Sequence, residues 1–301
     1  MHVSLKPKVI AIVGPTATGK SDLAVYIAQK IQGEIISADS RQVYRGLDIG
    51  SGKITADEMQ GIPHHLLDVF SPKKVYSVEH FKNDASKAVT VILKNKKIPI
   101  IAGGTGFYID ALISGEEFPA VPPNKKLRAQ LEKMSTETLV KKIKILDARR
   151  ASKLDLQNRV RIIRAIEIAT ALGYVPRVKK NKRYDTLFIG LTLDPHILRE
   201  KIHTRRLKRN ESNAMEKEVA QLHKKGVSWK RLYSFGLEYR YVSLYLQKKM
   251  NKEEMLARLE QEIVHYAKRQ MQWFRRNKNI LWFAPGENKA IQEAVEKFLK
   301  N

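Results

Sequence analysis

The sequence has 301 residues, and its 56 Lys and Arg residues against 31 Asp and Glu residues give a net charge of +25, which favours a polyanionic partner, nucleic acid before a membrane surface. With 43% hydrophobic residues the chain can bury a core, so disorder throughout is excluded. The absence of cysteine excludes disulfides, thiolate zinc sites, iron–sulfur clusters and cysteine nucleophiles.

The first 115 residues alternate short apolar segments with amphipathic stretches, a pattern typical of a parallel α/β sheet. Val9–Val13, Glu34–Ser37 and Ile98–Ala102 are predicted as strands. Ser21–Ile31 and Val78–Lys94 have apolar residues near a 3.6-residue period and are predicted as helices.

A phosphate-binding loop is predicted between the first strand and the first helix, where the chain fits G-x-x-x-x-G-K-[ST] without a mismatch. In such a loop, backbone N–H groups and the helix N-terminus surround phosphate oxygens. The lysine bridges phosphates, and the last hydroxyl ligates Mg²⁺. The predicted residues are Gly14, Pro15, Thr16, Ala17, Thr18, Gly19, Lys20 and Ser21, with Ser21 as the metal ligand.

The acidic residue that nucleotide hydrolases place at the end of a neighbouring strand is missing here. Ile98–Ala102 runs into Gly103–Gly106, and Asp68 is an alternative only if a strand precedes it. Asp39 follows the second strand, at the sheet edge where ligands bind in open α/β folds. Its carboxylate is either a metal ligand or general base, or else the N-cap of a following helix.

A second domain is predicted where three prolines in Phe118–Pro123 interrupt the alternating pattern. Asn124–Leu172 is helical in character, and residues 141–183 contain 14 Lys and Arg residues against three acidic ones. Tyr184–Asp194 is predicted as a further strand, and Pro195 opens a helical C-terminal part. We therefore expect a core of residues 1–117 and 184–301, with a basic, mainly helical insertion at 118–183.

Six segments resemble, in the same order, the motifs of the tRNA dimethylallyltransferases, the IPP transferase family, over about residues 9–276. The segments are Gly14–Ser21, Asp39–Tyr44, Gly61–Leu66, Gly103–Tyr108, Asn158–Glu167 and Tyr266–Arg275. The resemblance implies a P-loop NTPase-like parallel sheet core. It also implies transfer of a dimethylallyl group from dimethylallyl diphosphate to N6 of adenosine 37, beside the tRNA anticodon, with release of diphosphate.

The same resemblance assigns roles to Asp39, Thr105, Lys20 and Arg205 as catalytic residues. Asp39 would accept hydrogen from the adenine amino group, and Thr105 would contact the substrate near the reaction centre. Lys20 and a Ser21-bound Mg²⁺ would neutralise the departing diphosphate, which the phosphate loop holds, so no hydrolytic carboxylate is needed. Arg205 would clamp the diphosphate, with its neighbour Arg206 as the alternative.

The resemblance also implies tRNA contacts, which agree with the basic composition of the insertion. Chemistry on a base of the anticodon loop requires that base to be unstacked and bound in a pocket. The implied contacts are Asp39, Ser40, Arg41, Gln42, Thr105, Arg128, Gln157, Asn158, Arg159, Val160 and Arg161. No apolar stretch approaches the ~20 residues of a membrane helix, so we expect a cytoplasmic protein without membrane contact. We also expect a monomer.

Three alternatives remain open at this point. A small-molecule or nucleotide kinase would share the phosphate loop but leaves the charge of +25 unexplained. A prenyltransferase acting on free AMP or ATP would share the catalytic motifs, and the basic insertion argues against it. A noncatalytic RNA-binding protein would make the phosphate loop and Asp39 accidental.

The aromatic residues of the C-terminal helices are interpreted mostly as core, and Phe235–Arg240 departs from the family's shorter Gly-Tyr motif.

Overall fold

A parallel β-sheet forms the centre of the protein in a computed structural model that describes residues 6–301. The strand order is β3-β2-β4-β1-β5-β6, and all neighbours are parallel. The strands are β1 (Lys8–Val13), β2 (Gly33–Ser37), β3 (His64–His65), β4 (Ile98–Ala102), β5 (Asp185–Leu191) and β6 (Ile280–Phe283). The predicted α/β class with a parallel sheet is confirmed.

The two edge strands, β3 and β6, were not predicted, because two and four residues are too short to show a period. The strand predicted at Tyr184–Asp194 is shorter than expected. It ends at Leu191, and the side chain of Asp194 instead accepts a hydrogen bond from His196 N and caps the following helix.

Helices cover both faces of the sheet, and alternate residues of β1 belong to different cores. Val9, Ala11 and Val13 pack in one core, and Ile10 and Ile12 in the other. Such two-sided burial explains the unbroken apolar run of the strand. The helices are α1 (Lys20–Ile31), α2 (Ala56–Met59), α3 (Val78–Lys94), α4 (Gly106–Ile113), α5 (Lys125–Glu132), α6 (Thr136–Leu146), α7 (Ala148–Ala151), α8 (Arg159–Leu172), α9 (Pro195–Asn210), α10 (Ala214–Lys224), α11 (Trp229–Phe235), α12 (Leu237–Leu246), α13 (Lys252–Phe274) and α14 (Asn288–Lys300). Within residues 6–301, no helix combines the length and the apolar character that crossing a membrane requires.

The chain divides into two compact units. The core unit comprises the residues through Ser114 and Lys182–Asn301, and the helical unit comprises Gly115–Asn181. The helical unit contains α5–α8 and has its own apolar core. A Cβ on Gly115 would lie 2.1 Å from the carbonyl oxygen of Asn181, so the two ends of this unit lie side by side.

Buried Glu167 on α8 joins the helices of the helical unit. Arg128 of α5 donates two hydrogen bonds to its carboxylate, of 2.6 and 2.7 Å, and the backbone N–H of Asn124 donates a third of 2.8 Å. Arg164 adds a longer contact of 3.3 Å. Burial raises the pKa of Glu167, but the Arg128 and Asn124 hydrogen bonds outweigh this and hold it below its usual value.

Replacing Glu167 by Gln should lower the free energy of unfolding of the helical unit by about 3 kcal/mol, because two arginines then lose a buried counter-charge. Native-state hydrogen exchange of α8 amides measures this loss. Since the pKa is lowered on folding, the ionic stabilisation is present above the unfolded value of 4.5 and is lost as the pH falls through the lower folded value. Glu132→Gln, at an exposed position of α5, is the control, and equal losses in both variants would contradict the prediction.

Candidate active site

The phosphate loop connects β1 to α1 through backbone conformations that favour glycine. Gly14 has φ +140°, and a Cβ there would lie 2.4 Å from the carbonyl oxygen of Leu191. Gly19 has φ +82° and directly precedes Lys20, the first residue of α1. Thr18 is buried and its hydroxyl donates to Pro15 O at 2.9 Å. The loop therefore has an internally bonded form that ends at a helix N-terminus.

A cavity of about 660 Å³ opens beside this loop. Residues of the phosphate loop, of the loops after β2 and β4, and of α9 and α13 line it together. They include Thr16, Ala17, Gly19, Lys20, Ser21, Asp39, Gln42, Ser51, Gly52, Gly103, Gly104, Lys201, Thr204, Arg205, Lys208, Tyr266 and Gln270. The structure thus brings Lys20, Ser21, Asp39 and Arg205 to one cavity. Thr105 is not part of its lining within residues 6–301.

Gln270 of α13 joins two of these loops. Its Oε1 accepts a hydrogen bond of 2.8 Å from Thr16 N, and its Nε2 donates one of 2.9 Å to Gly104 O. A Cβ on Gly104 would lie 2.1 Å from that Nε2, and a Cβ on Gly106 would lie 2.2 Å from the Trp273 ring. The glycines after β4 are therefore required for the close approach of α13.

Lys20 and Arg205 place two cations at the cavity. Lys20 is half-buried as a residue, and its ammonium group donates to Pro15 O at 2.5 Å. Burial and then the Arg205 charge lower the pKa of Lys20 to about 7, against the opposing effect of Asp39. Burial and the Arg209 charge lower the pKa of Arg205 to about 10. Cations destabilised in this way favour the binding of an anion.

Arg205 rather than its neighbour reaches the phosphate loop. Its guanidinium donates a hydrogen bond to the hydroxyl of Thr16. Arg206 instead donates to Glu260 Oε2 at 2.8 Å and does not line the cavity within residues 6–301. On α9, Lys201, Arg205 and Lys208 share the face that lines the cavity, at the helical spacing of four and three residues.

Asp39 shapes the turn after β2 as well as lining the cavity. Its Oδ1 accepts hydrogen bonds from Arg41 N at 2.7 Å and from Gln42 N at 3.3 Å. No helix follows in Ser40–Tyr44, so Asp39 is not a helix N-cap. The hydroxyl of Thr105 accepts from Ser40 N at 3.1 Å, and Thr105 also interacts with Tyr266. Thr105 thereby connects the Asp39 turn to α13.

The residues with implied tRNA contacts in the helical unit differ in their surroundings. Arg128 is bonded to Glu167, and half-buried Arg159 donates to Thr136 Oγ1 and to the carbonyl oxygens of Glu132 and Met134. Asn158 is the N-cap of α8. In contrast, Gln157, Val160 and Arg161 are exposed, and Arg161 lies 3.6 Å from Asp155. This last group is available to a large ligand of the helical unit.

Gln270, Lys201 and Lys208 were not predicted as site residues, and Tyr266 belongs to the aromatic residues of the C-terminal helices that were interpreted mostly as core. Tyr266 and Gln270 lie one helical turn apart in the C-terminal motif of the sequence, which was the available signal. Burial and the charge of Asp39 raise the pKa of Tyr266. No cluster of three His, Asp or Glu side chains that could hold a metal ion occurs among residues 6–301.

Comparison with known proteins identifies related chains. The model of the IPP transferase family matches residues 42–277. The chain is 45% identical over 292 residues to tRNA dimethylallyltransferase 2 of Shewanella sediminis, covering 95% of this chain and 96% of that protein. It is 44% identical over 282 residues to tRNA dimethylallyltransferase 2 of Treponema denticola, covering 92% and 94%.

Solved structures that resemble this chain are also transferases of this kind. A tRNA isopentenylpyrophosphate transferase of Bacillus halodurans superimposes with a TM-score of 0.75 and 32% identity, covering 98% of this chain and 97% of that one. A eukaryotic dimethylallyltransferase acting on tRNA has a TM-score of 0.84 and 26% identity, covering 98% of this chain and 80% of that one.

The lowered pKa of Lys20 predicts a pH-dependent difference in stability. The folded value of about 7 lies below the unfolded value of 10.5, so the folded state binds fewer protons between these pH values. The free energy of unfolding of the wild type, measured relative to Lys20→Met, should therefore rise with pH across this range, by at most about 1.4 kcal/mol per pH unit. Urea denaturation at pH 7, 8 and 9 measures the difference, in which other titrating groups cancel to first order. A constant difference would contradict a lowered pKa.

Proposed function

The chain belongs to the IPP transferase family, and we propose that it transfers the dimethylallyl group of dimethylallyl diphosphate to N6 of adenosine 37 in tRNA. The observation that carries this proposal is that Lys20 and Ser21 of the phosphate loop line the same cavity as Arg205 and Asp39. A phosphate loop and a cation suit a diphosphate leaving group, and a carboxylate suits a proton acceptor. The enzyme is thus a prenyltransferase rather than a hydrolase.

In the proposed reaction, the adenine N6 attacks C1 of the dimethylallyl group, and the bond between C1 and the diphosphate oxygen breaks. The electron pair of that bond leaves with diphosphate, and Asp39 accepts the proton that N6 loses. An exocyclic adenine amine is a poor nucleophile, so an oriented acceptor lowers the barrier. The Arg41 and Gln42 amides that bond to Oδ1 orient the Asp39 carboxylate.

Lys20 and Arg205 would neutralise the charge that develops on the departing diphosphate. The residues present fit Mg²⁺, because in phosphate sites this ion takes most of its ligands from water and phosphate, and few from the protein. Ser21 would hold it, as the last hydroxyl of the phosphate loop that lines the cavity. When bound, the ion supplies further charge neutralisation at the diphosphate oxygens.

The tRNA contacts are proposed on both units. Ser40, Arg41 and Gln42 lie in the turn that Asp39 shapes, beside the carboxylate that would meet the adenine. In the helical unit, exposed Gln157, Val160 and Arg161 would contact the RNA directly. Arg128, Asn158 and Arg159, whose polar groups bond within the unit, would contribute through the shape and charge of the surface they support.

One assay tests the proposed function. Labelled dimethylallyl diphosphate, Mg²⁺, unmodified tRNA and free AMP are incubated with the protein in the same tube, and the position of the label is determined. We expect label in tRNA, on the adenosine beside the anticodon. Label in AMP would contradict tRNA as the acceptor, and label in neither acceptor, with protein shown to be folded by circular dichroism, would overturn the reaction.

Asp39→Asn should lower kcat by at least about 100-fold, the usual contribution of a positioned acid or base. Asparagine keeps an oxygen that can accept from Arg41 N and Gln42 N, so the turn is retained while proton acceptance is lost. The Kd for tRNA should change by less than about threefold. Single-turnover kinetics and filter binding measure the two quantities, and equal losses in both would make Asp39 a binding residue.

Arg161→Gln should weaken tRNA binding and reduce the slope of log Kd against log salt concentration by about 0.7–0.9, the effect of one lost phosphate contact. The side chain of Arg161 is 54% exposed, so its removal leaves the unit intact. Lys297→Gln on α14 removes the same charge from another exposed position and is the control. Identical slopes in the two variants would exclude a phosphate contact by Arg161.

A further inference from the structure

The segment Phe235–Arg240, which joins α11 to α12, lines a second cavity of about 230 Å³. Asp39 and Arg205 line both cavities. Gly236 has φ +79° and Leu237 has φ +39°, and a leucine in this left-handed region is energetically unfavourable. Such a conformation persists where surrounding contacts hold it. The contacts of this segment lead to three parts of the active site.

Phe235 connects the segment to the turn that contains Asp39. Its carbonyl oxygen accepts a hydrogen bond of 2.6 Å from Arg41 Nε, and its buried ring lies 5.9 Å from the Arg41 guanidinium. The backbone N–H of Arg41 in turn donates to Asp39 Oδ1. Phe235 therefore fixes the arginine that follows the carboxylate by two residues.

Glu238 connects the segment to the arginines of α9. Its buried carboxylate lies 3.5 Å from the guanidinium of Arg209, one helical turn beyond Arg205. The charge of Arg209 disfavours the charged form of Arg205, and the charge of Glu238 opposes this effect. The guanidinium of Arg209 lies against Gly52, where a Cβ would lie 1.6 Å from Nη2 of Arg209. Glu238 therefore allows two guanidinium groups to lie close together inside the protein.

Tyr239 connects the segment to the loop at residues 48–52. Its hydroxyl donates to Glu218 Oε1 at 2.8 Å, and the Glu218 carboxylate accepts three backbone N–H bonds from residues 48–50. The Tyr239 ring leaves no space for a Cβ on Gly50, which would lie 2.8 Å away. At the end of this loop, Gly52 O accepts a hydrogen bond of 3.1 Å from Gln42 Nε2.

We propose that Phe235–Tyr239 is a positioning segment of the active site, in which Glu238 pairs with Arg209 and thereby keeps Arg205 in position for the diphosphate. Phe235 holds Arg41, and Tyr239 holds the loop that orients Gln42. The segment acts from inside the core unit and not as a tRNA contact. The proposal rests on the proposed function for the identity of the diphosphate.

Glu238→Gln tests the proposal against Glu216→Gln as the matched control. Both glutamates are 7% exposed, but Glu216 lies 3.2 Å from Lys252 and contacts neither arginine. We expect Glu238→Gln to lower kcat/KM for dimethylallyl diphosphate and to weaken inorganic pyrophosphate binding by about tenfold or more, because the two guanidinium groups then repel each other and Arg205 is displaced from its position beside the phosphate loop. The Kd for tRNA should stay within about twofold. Glu216→Gln should lower the melting temperature and leave these constants unchanged.

A double variant separates alignment from general destabilisation. Glu238→Gln combined with Arg209→Gln removes both partners, so neither charge is left uncompensated. We expect kcat/KM of the double variant to fall by less than the two single fold-losses multiplied together, because residues in contact are not additive in a double-mutant cycle. Additive effects would overturn the pairing of Glu238 with Arg209.

Tyr239→Phe keeps the ring and removes the hydroxyl that holds Glu218. We expect kcat/KM for tRNA to fall several-fold, because the loop that orients Gln42 loosens. Tyr76→Phe, which removes a hydroxyl bonded to Asp84 at 2.8 Å, is the control and should leave kcat/KM unchanged. Equal losses in the two variants would overturn the role of Tyr239.

The combined results distinguish the two proposals. A weakened tRNA Kd with unchanged pyrophosphate binding in Glu238→Gln would place the segment in the RNA interface and overturn its positioning role, as would equal effects of Glu238→Gln and Glu216→Gln. If the wild type transfers no label to tRNA, the proposed function fails, whereas pyrophosphate binding by the same variants still decides whether Glu238 aligns the arginines.

Discussion

The buried side-chain amide of Gln270 holds two loops of the active site together, because it bonds to Thr16 N on one side and to Gly104 O on the other. The loops follow β1 and β4, which are neighbours in the sheet, whereas Gln270 lies on α13, 166 residues after Gly104. A side chain at Gly104 would prevent this contact. The shape of the cavity thus depends on how closely α13 approaches the end of the sheet.

The cavity also concentrates cations whose charges are only partly offset by neighbouring groups. Lys20 donates to the carbonyl oxygen of Pro15, and Arg205 donates to the hydroxyl of Thr16. The charge of Asp39 favours the charged form of both cations, and the charge of Glu238 favours that of Arg205. The cost of burying these cations remains visible in the lowered pKa values of both. Under the proposed function, a bound diphosphate would offset that cost, because its charge would meet cations that are already in place.

The sequence was sufficient to predict those parts of the candidate site whose residues are consecutive in the chain. β1, the phosphate loop and the start of α1 follow one another, and each has its own local signal. Gln270 and Tyr266 stand in a motif of the sequence, but their partners could not be predicted, because these contacts join distant parts of the chain. The number of basic residues in the helical unit likewise does not show which of them face solvent. Arg128 donates hydrogen bonds to Glu167, and Arg159 donates to backbone carbonyl oxygens.

The adjacency of Gly115 and Asn181 has a consequence for how such a chain can change over time. Gly115 and Asn181 are the two ends of the helical unit and lie side by side. The distance between these ends therefore need not change when residues are added or removed between them. The intervening segment has its own apolar core, so insertions within it need not disturb the strands. The surface of this segment can therefore diversify by exchange or insertion of residues, while the strand that precedes the phosphate loop is inherited unchanged.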